Sequence, residues 1–191
     1  MANYNKKITD TKIRLGEVRF CYVNVFAPRK KEDGTDDKYG VCVLIPKSDT
    51  AGVNLIKEAI EAAKAKGKAG KWGGKIPARL SVPLRDGDEE DKGAEYAGMY
   101  FMNVSSPANS KPGVRVLDGG KVIEALDEED FYSGCWGAAT LNAFAYDANG
   151  NKGVSFGLDN VIKTRDDERL AGGASADQDF ADMGLSDDLL G

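Results

Sequence analysis

One hairpin sequence constrains the fold of this chain more than any other feature. Residues 134–158 read GCWGAATLNAFAYDANGNKGVSFGL, two apolar runs joined at Asn149 and Gly150. Asn-Gly between alternating apolar runs is the strongest short-range signal for a β-hairpin, because a type I′ turn needs two residues that tolerate positive φ. The stretch therefore predicts two long antiparallel strands joined by a tight turn.

The first strand of this hairpin has two unlike faces, because neighbouring side chains of a strand point in opposite directions. One face is large, aromatic and partly polar: Trp136, Ala138, Thr140, Asn142, Phe144 and Tyr146. The other face is small: Cys135, Gly137, Ala139, Leu141, Ala143 and Ala145. Small residues let a strand curve tightly, as a small closed barrel requires. The alternative for each large aromatic residue is a place in the core.

Further strands and one helix follow from alternation and capping. The alternation of apolar residues predicts strands at 12–26, 39–45, 76–84 and 96–104, the third of them short. Ser48 or Asp49 predicts the start of an amphipathic helix that runs to about Lys66. At least five strands with one inserted helix favour a mainly β fold (β with one or two helices), an OB-fold-like five-stranded barrel.

Composition excludes several chemistries. The chain has no histidine, which excludes a His-based triad and the His-containing zinc sites. Three isolated cysteines, Cys21, Cys42 and Cys135, cannot form a Cys₄ zinc site and are expected to be buried free thiols in a reducing cytoplasm. We therefore predict no catalytic residue, no metal and no cofactor. No apolar run is long enough to cross a bilayer, so we expect a cytoplasmic protein without a membrane partner.

The charges are distributed unevenly along the chain. The formal net charge is −5, yet residues 1–80 carry +8, residues 81–173 carry −8 and residues 174–191 carry −5. A negative protein can still bind an anionic polymer when its positive charges lie on one surface. The last stretch, ASADQDFADMGLSDDLLG, mixes aspartates with single apolar residues and cannot bury enough surface to fold alone. It predicts a disordered acidic tail at 174–191 after a domain at 1–173.

A basic loop follows the predicted helix. Residues 67–75 read GKAGKWGGK, in which lysines and glycines surround Trp72. The loop fails the pattern of a Walker A phosphate loop. Lysines of such a loop can contact phosphate, and Trp72 can either stack on a base or pack back onto the barrel.

These parts together predict a surface for single-stranded DNA. Aromatic rings stack on bases and cations neutralise phosphates, which gives sequence-tolerant affinity that falls with salt. The predicted stacking residues are Tyr22, Trp72, Tyr100, Trp136 and Tyr146. The predicted phosphate contacts are Lys12, Arg14, Arg19, Lys47, Lys71, Lys75, Arg79 and Lys152. For each basic residue alone, the alternative is a solvated charge.

The sequence also resembles a known family, the single-stranded DNA-binding proteins of tailed phages and prophages. The resemblance lies in FYSGCWGAATLNAFAYDANGNKGVSFGLDNVIKTRDDERLAG at 131–172, with support from RFCYVNVFAP and YGVCVLIPKSD nearer the start. It implies an OB-fold, no catalytic activity and a role in phage DNA replication or recombination. It also implies an acidic tail that recruits phage or host replication and recombination proteins and competes with DNA.

The tail residues to which the resemblance assigns partner contacts stand near the end of the chain. They are Phe180, Asp187, Asp188, Leu189 and Leu190. Relatives of this kind end in an aromatic residue, whereas this chain ends in Leu189, Leu190 and Gly191, so a phage-specific partner is expected. The sequence leaves the oligomeric state open, with a homodimer among the alternatives.

Two other classes of protein compete with DNA binding. One is a β-rich structural or interaction protein of the virion, with every aromatic ring buried. The other is a metal-dependent nuclease built on the carboxylates at 86–91 or 127–130. A two-metal site usually collects carboxylates from separate elements, whereas each of these clusters is contiguous and resembles a solvated loop.

Overall fold

The computed structural model describes residues 3–170, so the predicted tail and its partner-contact residues lie outside the described part of the chain. Within residues 3–170 there are nine strands, one α-helix and a short 3₁₀ helix at Ala94–Tyr96. The strands are β1 (Lys6–Lys7), β2 (Lys12–Asn24), β3 (Lys38–Pro46), β4 (Arg85–Asp86), β5 (Met99–Pro107), β6 (Gly113–Asp118), β7 (Lys121–Glu124), β8 (Trp136–Ala148) and β9 (Asn151–Arg165). The helix, α1, spans Thr50–Ala69.

Five strands close into a barrel. The sheet runs in the order β5, β3, β2, β8 and β9, all antiparallel neighbours, and β9 then pairs with β5 in parallel where Gly157 lies opposite Ser105. The β6–β7 hairpin extends the sheet outward, because β6 also pairs in parallel with β9. The predicted mainly β, OB-fold-like five-stranded barrel is confirmed.

The hairpin with its turn at Asn149 and Gly150 is formed as predicted. β8 and β9 pair from Trp136–Arg165 to Ala148–Asn151, and the two turn residues have φ of 53° at Asn149 and 85° at Gly150. The small face of β8 points into the barrel, where Cys135, Ala139, Leu141, Ala143 and Ala145 join the core. The large face points outward, and Phe144 is 42% exposed on it. The core alternative is therefore wrong for Phe144.

The helix α1 packs its apolar face against the core of the barrel. Asp49 caps its first turn, because a carboxylate oxygen accepts the N–H of Gly52 at 3.0 Å. Apolar residues at helical spacing, Val53, Ile56, Ile60 and Ala63, belong to the barrel core. Near the end of α1, a Cβ on Gly67 would lie 2.6 Å from Cβ of Ala145, so only glycine lets the helix approach β8 this closely.

Two predicted strands differ from the structure. The segment 76–84 forms a single bridge from Ser81 to Gly153 and no strand, because its two prolines cannot donate ladder hydrogen bonds. The strand predicted at 96–104 begins three residues later, at Met99, and Tyr96 belongs to the 3₁₀ helix instead. In the described residues, no helix is long and apolar enough to cross a membrane.

Candidate nucleic-acid interface

A groove of about 510 Å³ crosses the outer surface of the barrel. It passes over the outer faces of β2, β3, β5 and β9, from Asn24 to Ser155. No carboxylate lines it among residues 3–170. Its lining residues are Tyr22, Asn24, Arg29, Lys38, Val41, Cys42, Lys92, Tyr96, Phe101, Asn103, Val104, Ser105 and Ser155. We call this surface the barrel groove.

Tyr22 is the exposed aromatic residue of the barrel groove. It is 58% exposed and has φ of 50°, at a point where the pairing of β2 with β3 shifts register between Cys21 and Asn24. The bulge turns this side chain out of the strand's regular alternation. Tyr22 also lines a second cavity of about 390 Å³, together with Tyr132, Arg169 and Leu170. Its ring therefore stands between two concave surfaces, where a base can stack on it.

The floor of the barrel groove is a small apolar cluster separate from the main core. It contains Cys21, Cys42, Leu44, Tyr96 and Phe101. The rings of Tyr96 and Phe101 meet edge to face at 5.1 Å, and the Tyr96 hydroxyl lies 3.8 Å from Sγ of Cys21 and 3.9 Å from Sγ of Cys42. A hydrogen bond with Cys42, followed by burial, raises the pKa of the Cys21 thiol. The Cys21 thiol therefore stays protonated, and the floor consists of buried side chains.

Three cations line the barrel groove. Arg29 and Lys38 are joined by a backbone hydrogen bond of 2.9 Å at the base of the loop between β2 and β3. The Arg29 guanidinium reaches over Gly40, where an added Cβ would lie 3.1 Å from its Nη2. Lys92 lies 5.2 Å from the centroid of Phe101. Within the described residues, no ion pair involves Arg29 or Lys38, and Lys92 has one with Glu90 at 3.8 Å. These cationic side chains can bind phosphate groups.

The sequence did not single out these three cations. Arg29 and Lys38 were part of a loop expected to be solvated, and Lys92 followed an acidic run. For Arg29 and Lys38 the usable signal was their position in the loop between β2 and β3. The loop between the first two barrel strands borders the binding surface of many OB-folds. Of the thirteen predicted contact residues, Tyr22 is the one that lines the barrel groove.

Several predicted phosphate contacts are already paired with acceptors inside the protein. Lys12 contacts Asp159 at 3.1 Å, and Lys152 contacts Asp147 at 3.7 Å. Arg14 donates to the carbonyl of Tyr4 at 2.7 Å.

Lys47 contacts Asp86 at 2.6 Å and Asp88 at 2.7 Å. These hydrogen bonds raise the pKa of Lys47 and lower those of both aspartates, so Lys47 ties the loop after β4 to β3.

Arg19 and Trp136 hold the end of the described chain against the barrel. Arg19 donates to the carbonyl of Gly134 at 3.0 Å and to that of Glu168 at 3.0 Å, and its side chain is 14% exposed. The Trp136 indole N–H donates to Asp167 at 2.8 Å, and Arg165 lies 4.7 Å from its ring centroid. The Trp136 ring is thus covered by protein groups. The structure does not support stacking by Trp136 or phosphate contact by Arg19.

A second aromatic residue completes this arrangement. The Tyr132 hydroxyl donates to Asp166 at 2.7 Å, and Lys163 contacts the same carboxylate at 2.6 Å. Arg169 lies 4.2 Å from the centroid of the Tyr132 ring. We call the segment 166–170, with these contacts and those of Trp136, the C-terminal clamp. It ends at Leu170, which lines the cavity beside Tyr22.

Trp72 is buried, which corrects its prediction as a stacking residue. Its ring is 6% exposed and belongs to the barrel core, and its indole N–H donates to the carbonyl of Tyr146 at 3.1 Å. The ring fills space above Gly67, where a Cβ would lie 2.9 Å from it. The packing alternative is therefore the correct one for Trp72.

The remaining predicted residues lie away from the barrel groove. Tyr100 is half-buried on the inner side of β5, with Lys47 5.1 Å from its ring centroid. Tyr146 is half-buried on β8, and its hydroxyl lies over Gly153. Lys71, Lys75 and Arg79 are exposed in the loop after α1. Arg79 lines a shallow cavity with Gly150 and Lys152 at the tip of the β8–β9 hairpin, whereas Lys71 lies at the end of α1.

The two carboxylate clusters act as loop contacts. Asp86 and Asp88 bind Lys47, and Asp88 also accepts the N–H of Gly98 at 2.9 Å. Asp127 accepts the N–H of Glu129, and Asp130 accepts that of Leu126 at 2.8 Å. These bonds stabilise turns. Among residues 3–170, no group of three or more acidic or cysteine side chains is placed to hold a metal ion.

Known phage proteins are similar to this chain. The family model described as "Enterobacter phage Enc34, ssDNA-binding protein" matches residues 11–190. "Putative protein p50" of Acyrthosiphon pisum secondary endosymbiont phage 1 is 32% identical over 187 residues, which cover 93% of this chain and 96% of that protein.

Solved structures extend the comparison. The single-stranded DNA-binding protein from bacteriophage Enc34 in complex with ssDNA has a TM-score of 0.71 and 26% identity, over 87% of this chain and 96% of that one. The single-stranded DNA-binding protein gp2.5 of bacteriophage T7 has a TM-score of 0.52 and 17% identity, over 90% of this chain and 96% of that one. The similarity to gp2.5 is one of fold.

Proposed function

Because the chain belongs to the family of the Enterobacter phage Enc34 single-stranded DNA-binding protein, we propose that it binds single-stranded DNA without sequence preference during phage DNA replication or recombination. It acts by binding and performs no catalysis. The observation that carries the proposal is the barrel groove, whose lining brings exposed Tyr22 together with three cations and, among the described residues, no carboxylate. An exposed ring and cations on one concave surface match the two chemical features of a single strand.

Under this proposal each part of the barrel groove has a role. Tyr22 stacks on a base, which contributes about 1–3 kcal/mol. Arg29, Lys38 and Lys92 contact consecutive phosphates. The apolar floor holds these side chains in place, and Asn103, Ser105 and Ser155 offer polar contacts to the strand. The phosphate backbone is the same for every sequence and every base has a π-face, so such contacts give binding that tolerates any sequence.

The acidic tail is the second part of the proposal. The C-terminal clamp ends at Leu170, which lines the cavity beside Tyr22, and residues 171–191 follow Leu170 in the sequence. The five aspartates at 174–191 carry the same sign of charge as phosphates. We propose that they compete with DNA for Arg29, Lys38 and Lys92. We also propose that the tail recruits phage or host replication proteins through Phe180 and Asp187–Leu190 when DNA displaces it.

A fluorescence titration with oligo-dT tests DNA binding. Tyr22→Ala should weaken binding by roughly 5- to 150-fold, the equivalent of about 1–3 kcal/mol, and Tyr22→Phe should retain most of the affinity because the ring remains. Changing Arg29, Lys38 and Lys92 together to Gln should reduce the slope of log affinity against log salt by about 2, because each single-strand phosphate contact contributes about 0.7.

A control separates local contacts from net charge. Lys57→Gln with Lys121→Gln removes two charges from exposed positions outside the barrel groove and should leave the slope nearly unchanged. Affinity for dT that does not change between low and high salt would refute the phosphate contacts. No binding of dT at any salt concentration would favour the structural or interaction protein instead.

A further inference from the structure

The outward face of β8 and β9 continues the barrel groove toward the end of α1. Ser155 lines the groove, and its cross-strand neighbour on the outer surface is Phe144. The Phe144 ring lies over Gly157, because a Cβ on that glycine would be 3.8 Å from Cε1 of Phe144. Gly157 in turn pairs with Ser105, another lining residue of the groove. Small residues therefore leave the surface between Tyr22 and Phe144 open.

Phe144 also lines a second cleft, of about 280 Å³, at the end of α1. This helix-end cleft has Lys66 and Lys71 on one side and Asn142 beside Phe144 on the other. In the described part of the chain, neither lysine takes part in an ion pair. The two carboxylates carried by β8 and β9, Asp147 and Asp159, are paired with Lys152 and Lys12. The cleft thus combines an exposed ring with two free cations, as the barrel groove does.

We propose that Phe144, Lys66 and Lys71 form a second contact site for the same DNA strand, which leaves the barrel groove over Ser155 and enters the helix-end cleft. This inference rests on the proposed binding of single-stranded DNA. Phe144 stacks on a base beyond those held at Tyr22, and the two lysines contact the phosphates that follow. Charge and ring chemistry select a single nucleic acid strand, because a duplex keeps its base faces covered.

Alternative occupants fit these groups less well. An acidic peptide would pair with the lysines, but most of its residues offer no planar face to the exposed ring of Phe144, whereas every base of a single strand does. The lysines in the last turn of α1 also offset the negative end of the helix dipole, but Lys71 lies beyond the last residue of the helix at Ala69. Dipole compensation therefore does not account for Lys71.

Oligonucleotide length provides the test. OB-folds occupy about 4–16 nucleotides, so dT of about 6 nucleotides fills the barrel groove alone and dT of about 20 reaches both sites. Phe144→Ala should weaken binding of the long oligonucleotide at least fivefold and leave the short one within twofold of wild type. Lys66→Gln with Lys71→Gln should reduce the salt slope by about 1.4 for the long oligonucleotide only.

The controls distinguish this proposal from the one that it rests on. Lys57→Gln with Lys121→Gln removes the same charge elsewhere and should change neither length, and Phe144→Tyr should bind like wild type. Equal weakening of both lengths by Phe144→Ala, or of neither, would overturn the second site while Tyr22→Ala still reports on the first. Loss of all dT binding in the wild-type protein would instead overturn the proposed function.

Discussion

Trp72 joins the end of α1 to the β8–β9 hairpin. Its ring packs above Gly67, and its indole N–H bonds the carbonyl of Tyr146 at 3.1 Å. Trp72→Ala should lower the free energy of unfolding by about 3–5 kcal/mol, as is typical of large aromatic residues removed from a core. Urea unfolding followed by circular dichroism measures this change.

Trp72→Phe serves as the matched variant. It keeps most of the packing and loses the hydrogen bond, so the loss of stability should be about 1 kcal/mol. A stacking residue would behave in the opposite way, with dT affinity reduced and stability unchanged. That result would reverse the role assigned to Trp72.

The sequence left the role of Trp72 open for a physical reason. A ring in a loop of lysines and glycines is equally compatible with stacking outward and with packing inward. What decides is the space above Gly67 on α1 together with the carbonyl of Tyr146, which belongs to a strand 74 residues further along the chain. Tyr22 was correctly placed on the outer surface, but its exposure depends on a bulge at Cys21–Asn24 that alternation does not reveal.

At the scale of elements, the C-terminal clamp is held by ionised aspartates. The indole N–H of Trp136 lowers the pKa of Asp167, and Lys163 with the Tyr132 hydroxyl lowers that of Asp166. A carboxylate whose pKa is lowered by folding stabilises the fold above its unfolded pKa of about 3.9, and this contribution is lost as pH falls through the lower, folded pKa. The clamp should therefore release only below about pH 3.9.

The indole N–H signal of Trp136 in NMR spectra reports this release directly. It should shift with a midpoint below about pH 3.9, and Asp167→Asn should remove the shift. Trp72 is the other tryptophan of the chain and provides an internal control, because its indole bonds a backbone carbonyl that does not titrate in this range. A Trp136 midpoint at or above 3.9, or a shift that persists in the variant, would contradict the assigned contact.

Elements fixed by local chemistry were predictable, and those fixed by distant pairing were not. The Asn149–Gly150 turn and the Asp49 cap are encoded within a few residues, and both formed as predicted. The 76–84 segment was predicted as a strand because it contains apolar residues, but its prolines limit it to one bridge. The Trp136 face of β8 points outward as expected, yet the C-terminal clamp covers that ring with residues about thirty positions away.

At the scale of the whole molecule, the fold was predictable from the sequence and the position of the barrel groove was not. The alternation of apolar residues, the single helix and the tight hairpin favour a small barrel, whichever of its surfaces carries the groove. The barrel groove, in contrast, exists because the loop before β3, the loop before β5 and the bulge in β2 converge on one side of the closed sheet. Charge counted along the chain indicated a basic N-terminal part, and closure of the barrel then selected Arg29, Lys38 and Lys92.

The proposed competition between the acidic tail and DNA depends on how far the tail can reach from Leu170. Residues 171–191 follow Leu170 in the sequence, and a random-coil chain of that length would have a root-mean-square span of about 25 Å. A tethered segment with such reach has an effective concentration in the millimolar range near its attachment point. At such a concentration, weak attraction between five aspartates and three groove cations would be enough for the proposed competition.

Deletion of residues 174–191 should tighten binding to dT, and the gain should shrink as salt rises because screening weakens both partners of the competition. Changing the five tail aspartates to Asn keeps the length of the chain and should reproduce the deletion. Arg29→Gln with Lys38→Gln should reduce the difference between full-length and truncated proteins, because the tail and the DNA then lose the same contacts. Fluorescence titrations at two salt concentrations measure all three effects. Equal affinity of the full-length and truncated proteins at low salt would contradict competition and leave recruitment of partners as the role of the tail.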